Sequence, residues 1–240
     1  MAILPPGAQD SPGPLHDRLV GLAGMPDSAA SVEIDLIVIA QLVASRVKAV
    51  DYASVTSRRG GAYATVATSS DVALAVDAAQ YADDAGPCLE ALDGGYPAAV
   101  PDIATTITWP GFRDAAVGMG LASSLSIPLV AGSGRTVAAL NLYSHDPDAM
   151  AALTTSVWSA YDSDPPVNAL DTIGEGGTEL VAGLTAALEV RAVIQRGLGT
   201  IMGIDRCGAD VAYRTLCTLA EASGDTLFAA SARLLMDSEG

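Results

Sequence analysis

Cys88 is the side chain with the strongest claim to covalent chemistry. Gly86-Pro87 ahead of it sets the thiol in the first turn of a helix, where the dipole lowers a thiol pKa and favours the nucleophilic thiolate. A buried, inert cysteine is the competing reading and the preferred one. Cys88, Cys207 and Cys217 fit neither a disulfide framework nor a zinc spacing and read as free thiols. His16 and His145 stand outside any spacing such as H-x-x-x-H and read as surface residues, so no metal site is expected. There is no P-loop and no nucleophile elbow, and Gly132-Ser133-Gly134 before Arg135 reads as a hairpin turn. No catalytic residue emerges, and the chain is read as not an enzyme; a redox role for Cys88 is the enzymatic alternative.

The elements that would position these residues fall into two units. The chain has 240 residues, half of them apolar and 17% charged, enough for one medium domain and a small helical one. Its net charge of −16 favours solubility and opposes non-specific attraction to nucleic acid or anionic lipid. No apolar run reaches the length of a membrane span, and the N-terminus lacks the pattern of a secretion signal, so a cytoplasmic protein without membrane contact is expected. Residues 1–28, rich in proline and glycine, suit a flexible tail with one short helix at 15–22. Periodicity then gives a domain over 29–162. Its parts are a helix over 31–48, a hairpin of 52–57 and 61–67, a helix over 71–79, an element at 81–92, and strands at 98–100, 123–130 and 137–143. Helices beside a paired-strand sheet make an α+β fold. Residues 163–177 read as a linker.

The last segment, 178–238, reads as three helices. Leu180, Leu184, Ala187, Ile194, Leu198 and Ile201 share a stripe on a first helix over 178–202, and an exposed stripe would pair with a second copy. Gly197 and Gly199 are expected to admit a neighbouring helix at close range. A second helix spans 209–222, and Asp225 is a plausible N-cap for a third running to Met236. Three short-linked helices make a minimal bundle.

Five ordered motifs carry a resemblance over residues 30–160: YADDAGPCLEAL at 81–92, Val100-Pro101-Asp102, Trp109-Pro110-Gly111-Phe112, SLSIPL at 124–129 and ALNLYS at 139–144. They look like the successive signatures of a bacterial GAF sensor domain. The resemblance implies a six-stranded antiparallel sheet flanked by helices, with a pocket for a small-molecule ligand to which Cys88, Trp109 and Phe112 would contribute. The ligand is not named by the sequence, and neither is any cofactor. The Asn-Lys and Phe-x-x-x-Asp-Glu pattern of cyclic-nucleotide-binding members is missing, and no cysteine or histidine stands at an obvious bilin or haem attachment point.

Residues 179–235 resemble the ANTAR domain, an RNA-binding antiterminator module. Arg191, Ile194, Gly199 and Met202 match its first helix, Ala209-Asp210 with Ala212-Tyr213 its second, and Leu227 its third. The resemblance implies a homodimer, joined by its first helices in coiled-coil manner, that binds a stem-loop in a nascent transcript and prevents terminator formation. Arg191, Arg196 and Arg214 are the candidate RNA contacts, with Tyr213 stacking on a loop base. Leu198, Cys217-Thr218, Thr226 and Phe228 stand where the family usually places basic residues. From residue 178 onward five arginines face eight carboxylates, a net of −3, which weakens phosphate binding. The leading expectation is a signal-responsive, RNA-binding regulator of transcription termination. The alternative is a GAF-based dimeric sensor or interaction protein whose helical bundle has lost RNA binding.

Overall fold

A computed structural model describes residues 12–162 and 173–238. The chain runs α1 (Pro14–Gly24), α2 (Ser31–Arg46), β1 (Tyr52–Arg59), β2 (Ala62–Thr68), α3 (Asp71–Ala82), α4 (Pro87–Gly94), β3 (Ala98–Val100), α5 (Pro110–Gly118), β4 (Ser123–Val130), β5 (Thr136–Ser144), α6 (Pro147–Tyr161), α7 (Gly174–Asp205), α8 (Ala209–Ser223) and α9 (Leu227–Ser238). The strands form one antiparallel sheet in the order β2-β1-β5-β4-β3. Among the described residues it has five strands, not the six that the resemblance implied.

Register assigns the two faces. Opposite one another in β4 and β5 stand Leu125 and Leu142, then Ile127 and Leu140; Ser124 faces Tyr143 and Ser126 faces Asn141 on the other side of the sheet. The aliphatic face joins Val55 of β1 in a core closed by Leu15 and Leu19 of α1, Ile39 of α2, Leu153 of α6 and Leu180 of α7. The opposite face is covered by α3, α4 and α5 through Val76, Ala91 and Phe112. Every residue of β4 is therefore buried.

Local signals explain most helix ends. Ser70 caps α3 by accepting the Val72 N–H at 2.9 Å, and Asp146 caps α6 by accepting the N–H groups of Asp148 and Ala149, each at 3.0 Å. Helix α6 went unassigned in the sequence, although Asp146-Pro147 carries the cap followed by proline that opens many helices. The element expected at 81–92 is divided between the end of α3 and α4, because Gly86-Pro87 restarts the helix. The third C-terminal helix is capped by Thr226, whose Oγ1 accepts the Ala229 N–H at 3.1 Å, not by Asp225. Asp225 instead binds Arg233.

Residues 1–11 of the expected tail lie outside the described residues, but α1 is core. Leu15, Leu19 and Leu22 are buried, each contributing about 2 kcal/mol of apolar transfer. Helix α1 lies so close along α7 that a Cβ on Gly183 would meet Leu19 Cδ1 at 2.8 Å and His16 Cα at 2.9 Å. No side chain of its own caps α1. Glu179 of α7 does so from afar, its Oε1 accepting the Leu15 N–H at 2.7 Å while Oε2 accepts Arg46 Nε at 2.9 Å. One carboxylate thus ties α1, α2 and α7 together. Of the expected linker, residues 163–172 lie outside the described residues, and Gly174 to Gly177 already belong to α7. Among the described residues no helix is long and apolar enough to cross a membrane.

Candidate functional site

Between the polar face of the sheet and α3 lies a closed hydrogen-bond network centred on Asp77. Its Oδ1 accepts the Tyr143 hydroxyl at 2.6 Å and Asn141 Nδ2 at 3.3 Å, and its Oδ2 accepts the Thr65 hydroxyl at 2.8 Å. Asn141 Nδ2 also donates to Thr56 Oγ1 at 2.8 Å, and the Tyr81 hydroxyl lies 2.8 Å from both Thr56 and Thr65. Burial pushes the Asp77 carboxyl up to about 6, against the downward pull of these donors, Tyr143 foremost. The Tyr143 and Tyr81 phenols are raised by burial and then by Asp77. Asn141 Oδ1 and Ser124 Oγ, both buried, have no hydrogen-bond partner among the described residues. These two atoms are buried polar groups left unpaired on the covered face of the sheet.

The three side chains expected to line a ligand pocket divide around this network. Cys88 is fully buried, and its N–H donates to Gln80 Oε1 at 3.0 Å. Burial raises its thiol far above the usual range and Asp77 raises it further, so the helix dipole does not produce a thiolate there. Phe112 is buried against Val76 and Tyr143. Trp109 packs edge-on to it, centroids 6.4 Å apart, and borders an outer cleft of about 680 Å³ with Tyr63, Gly86 and Asp93. Among the described residues no group of three histidine, cysteine or acidic side chains is placed to hold a metal ion.

This arrangement, a five-stranded antiparallel sheet with a polar interior under crossover helices, agrees with a family model. The model for the GAF domain matches residues 33–157, more than half of the chain. The chain belongs to the GAF domain family. A second model, for the ANTAR domain, matches residues 182–235, so the GAF domain is followed by an ANTAR domain. A crystal structure of a domain assigned to a two-component sensor histidine kinase of Sinorhizobium meliloti 1021 is similar over 70% of this chain and 93% of its own, at 16% identity and a TM-score of 0.42. No curated protein matches the chain.

The ANTAR helices form a bundle whose stripe is consumed within one chain. Leu180, Leu184, Ala187, Ile194, Leu198 and Ile201 are each 7% exposed or less. Leu180 and Leu184 pack into the GAF core beside α1, Ala187 packs on Ala23 and Val130, and the other three pack on Leu216 of α8 and Leu227 of α9. The expectation of an exposed stripe facing a second copy therefore meets a correction: α1, α8 and α9 already cover it. Gly197 does admit a helix closely, since a Cβ there would meet Ser231 Cβ of α9 at 2.7 Å; Gly199 faces open space.

The candidate RNA residues do not converge. Arg196 and Arg214 are exposed, whereas Arg191 is half-buried in a cleft against the GAF domain. Five residues along a helix turn about 140°, so Arg191 and Arg196 point to different sides of α7. Tyr213 is half-buried and bound to Asp27 through its hydroxyl, and burial raises its phenol. The β4–β5 turn lies against the ANTAR domain: Gln195 Nε2 donates to the Ser133 carbonyl at 2.5 Å, and Arg135 Nη2 donates to Asp210 Oδ1 at 2.8 Å.

Asp77, Asn141 and Tyr143 were not singled out from the sequence. The available signal was the polar alternation of Ser124 with Ser126 and of Asn141 with Tyr143, a pattern that ordinarily marks a solvated face. Here helices cover that face.

Proposed function

We propose that this protein is a signal-responsive regulator of transcription termination, in which the ANTAR domain binds a stem-loop of nascent RNA and the GAF domain sets how readily it does so. The observation that carries this reading is the succession of the two domains, GAF at 33–157 and ANTAR at 182–235. Arg196 and Arg214, exposed on α7 and α8, supply the phosphate contacts. Arg191 and Tyr213 are engaged by the GAF side and contribute only after the β4–β5 turn moves away. The GAF domain takes a small-molecule ligand. An RNA target places the protein in the cytoplasm. A dimer has to use a surface other than the covered α7 stripe, or exchange that stripe's intrachain partners.

The test is a mobility-shift titration of the full chain with an RNA of two short hairpins across a salt series. The expected result is a salt-dependent shift whose slope falls by about one for each of Arg196→Ala and Arg214→Ala. Absence of a salt-dependent shift, or slopes in both variants equal to that of the unsubstituted chain, overturns the reading. The second reading, a GAF-based interaction protein whose bundle no longer binds RNA, is favoured by the net −3 of the C-terminal segment.

A further inference from the structure

The cleft between the ends of β1 and β5, the β4–β5 turn and α7 has a charge unlike that of the molecule around it. Arg58 of β1, Arg135 of the β4–β5 turn and Arg191 of α7 line a cavity of about 570 Å³ in which Asp93 is the one lining carboxylate. Three of the chain's 12 lysines and arginines thus meet in a protein with 28 carboxylates. Asp93 is already engaged on both oxygens: Oδ1 accepts Arg58 Nη2 at 2.7 Å and Oδ2 accepts the Tyr63 hydroxyl at 2.8 Å. The Arg135–Asp210 pair is solvated, with Arg135 71% exposed, and holds Arg135 weakly. Among the described residues Arg191 pairs with no carboxylate.

The lining therefore carries a net charge of +2, and Gly94, Gly95 and Gly134 add no side chains to it. Guanidinium groups repel one another unless an anion sits between them, and their planar forks match phosphate oxygens. We propose that this cleft binds a small phosphorylated ligand carrying two or more negative charges, held by Arg58, Arg135 and Arg191. Such a ligand bridges the GAF sheet to the first ANTAR helix. Its binding stabilises the docked arrangement by mass action, so that rising ligand concentration opposes release of the output helices. The site is separate from the Asp77 interior and does not depend on RNA binding.

Inorganic pyrophosphate is the probe, titrated calorimetrically into the full chain at fixed ionic strength. The expected result is saturable one-to-one binding, weakened at least tenfold in Arg135→Ala and in Arg191→Ala and unchanged in Arg113→Ala, whose side chain lies on α5 outside the cleft. Arg135 is solvated, so its variant keeps the fold even if Arg191→Ala does not. No saturable heat, binding only above millimolar pyrophosphate, or equal affinity in Arg135→Ala overturns the proposal. If the two-hairpin RNA displaces pyrophosphate and Arg135→Ala weakens RNA binding equally, the cleft serves RNA phosphates and the small-ligand assignment fails. Pyrophosphate binding in a chain that shifts no RNA leaves this site standing and removes the antiterminator reading alone.

Discussion

Tyr213 of α8 and Asp27 of the α1–α2 connection hold each other twice. The Asp27 backbone N–H donates to the phenol oxygen at 2.9 Å, and the phenol hydroxyl lies 3.3 Å from Asp27 Oδ1. The same Oδ1 accepts the Ser133 N–H of the β4–β5 turn at 2.8 Å. One aspartate therefore fastens the GAF turn and the ANTAR bundle to a single point.

Removing the phenol oxygen tests that fastening. Tyr213→Phe should lower stability by about 1 kcal/mol, and Asp27→Ala by more, since it also strips Ser133 of its acceptor. Urea midpoints of the two variants measure this; unchanged midpoints would mean that the contact contributes nothing.

The buried Asp77 carboxyl gives a pH dependence opposite to that of most carboxylates. Its folded pKa of about 6 lies above the ordinary 3.8, so its contribution to stability is full below the ordinary value and is lost as pH rises through 6. The shift corresponds to roughly 3 kcal/mol across that window. Asp77→Asn abolishes the dependence while keeping a hydrogen-bonding side chain toward Tyr143 and Thr65. Unfolding free energies of both proteins at acid and neutral pH should show the variant gaining on the native chain as pH rises; a constant difference refutes the assignment.

Cys88 should resist alkylation in the folded protein, because burial keeps its thiol protonated and out of reach. Cys207 and Cys217, each partly exposed, should react first. Peptide mapping after brief iodoacetamide treatment at neutral pH reads the order, and early loss of Cys88 would revive a reactive-thiol role.

Two glycines on α7 should respond with opposite signs. Gly199→Ala, with nothing near its Cβ, should raise stability by up to about 1 kcal/mol through helix propensity. Gly197→Ala drives a methyl into Ser231 at 2.7 Å and should push α9 away, lowering stability. Thermal melts of the two single variants decide; a destabilised Gly199→Ala would indicate a neighbour at that position.

By itself the sequence determined most of the elements and both families, but not α6 or the division of 81–92 between α3 and α4. Strand alternation located β1, β2, β4 and β5, and the three- and four-residue spacing of Leu180, Leu184 and Ile194 located the buried side of α7, because local period dictates which side chains share a face. What covers each face was a tertiary matter. The α7 stripe is sealed by α1 for its first half and by α8 and α9 for its second, and the polar alternation of β4 and β5 is roofed by α3 and its neighbours. Arg58, Arg135 and Arg191 are distant in the chain, and only the docking of α7 beside the β4–β5 turn brings their charges into one cleft. Periodicity fixes direction within an element, whereas contact between elements depends on how the whole chain closes around its core.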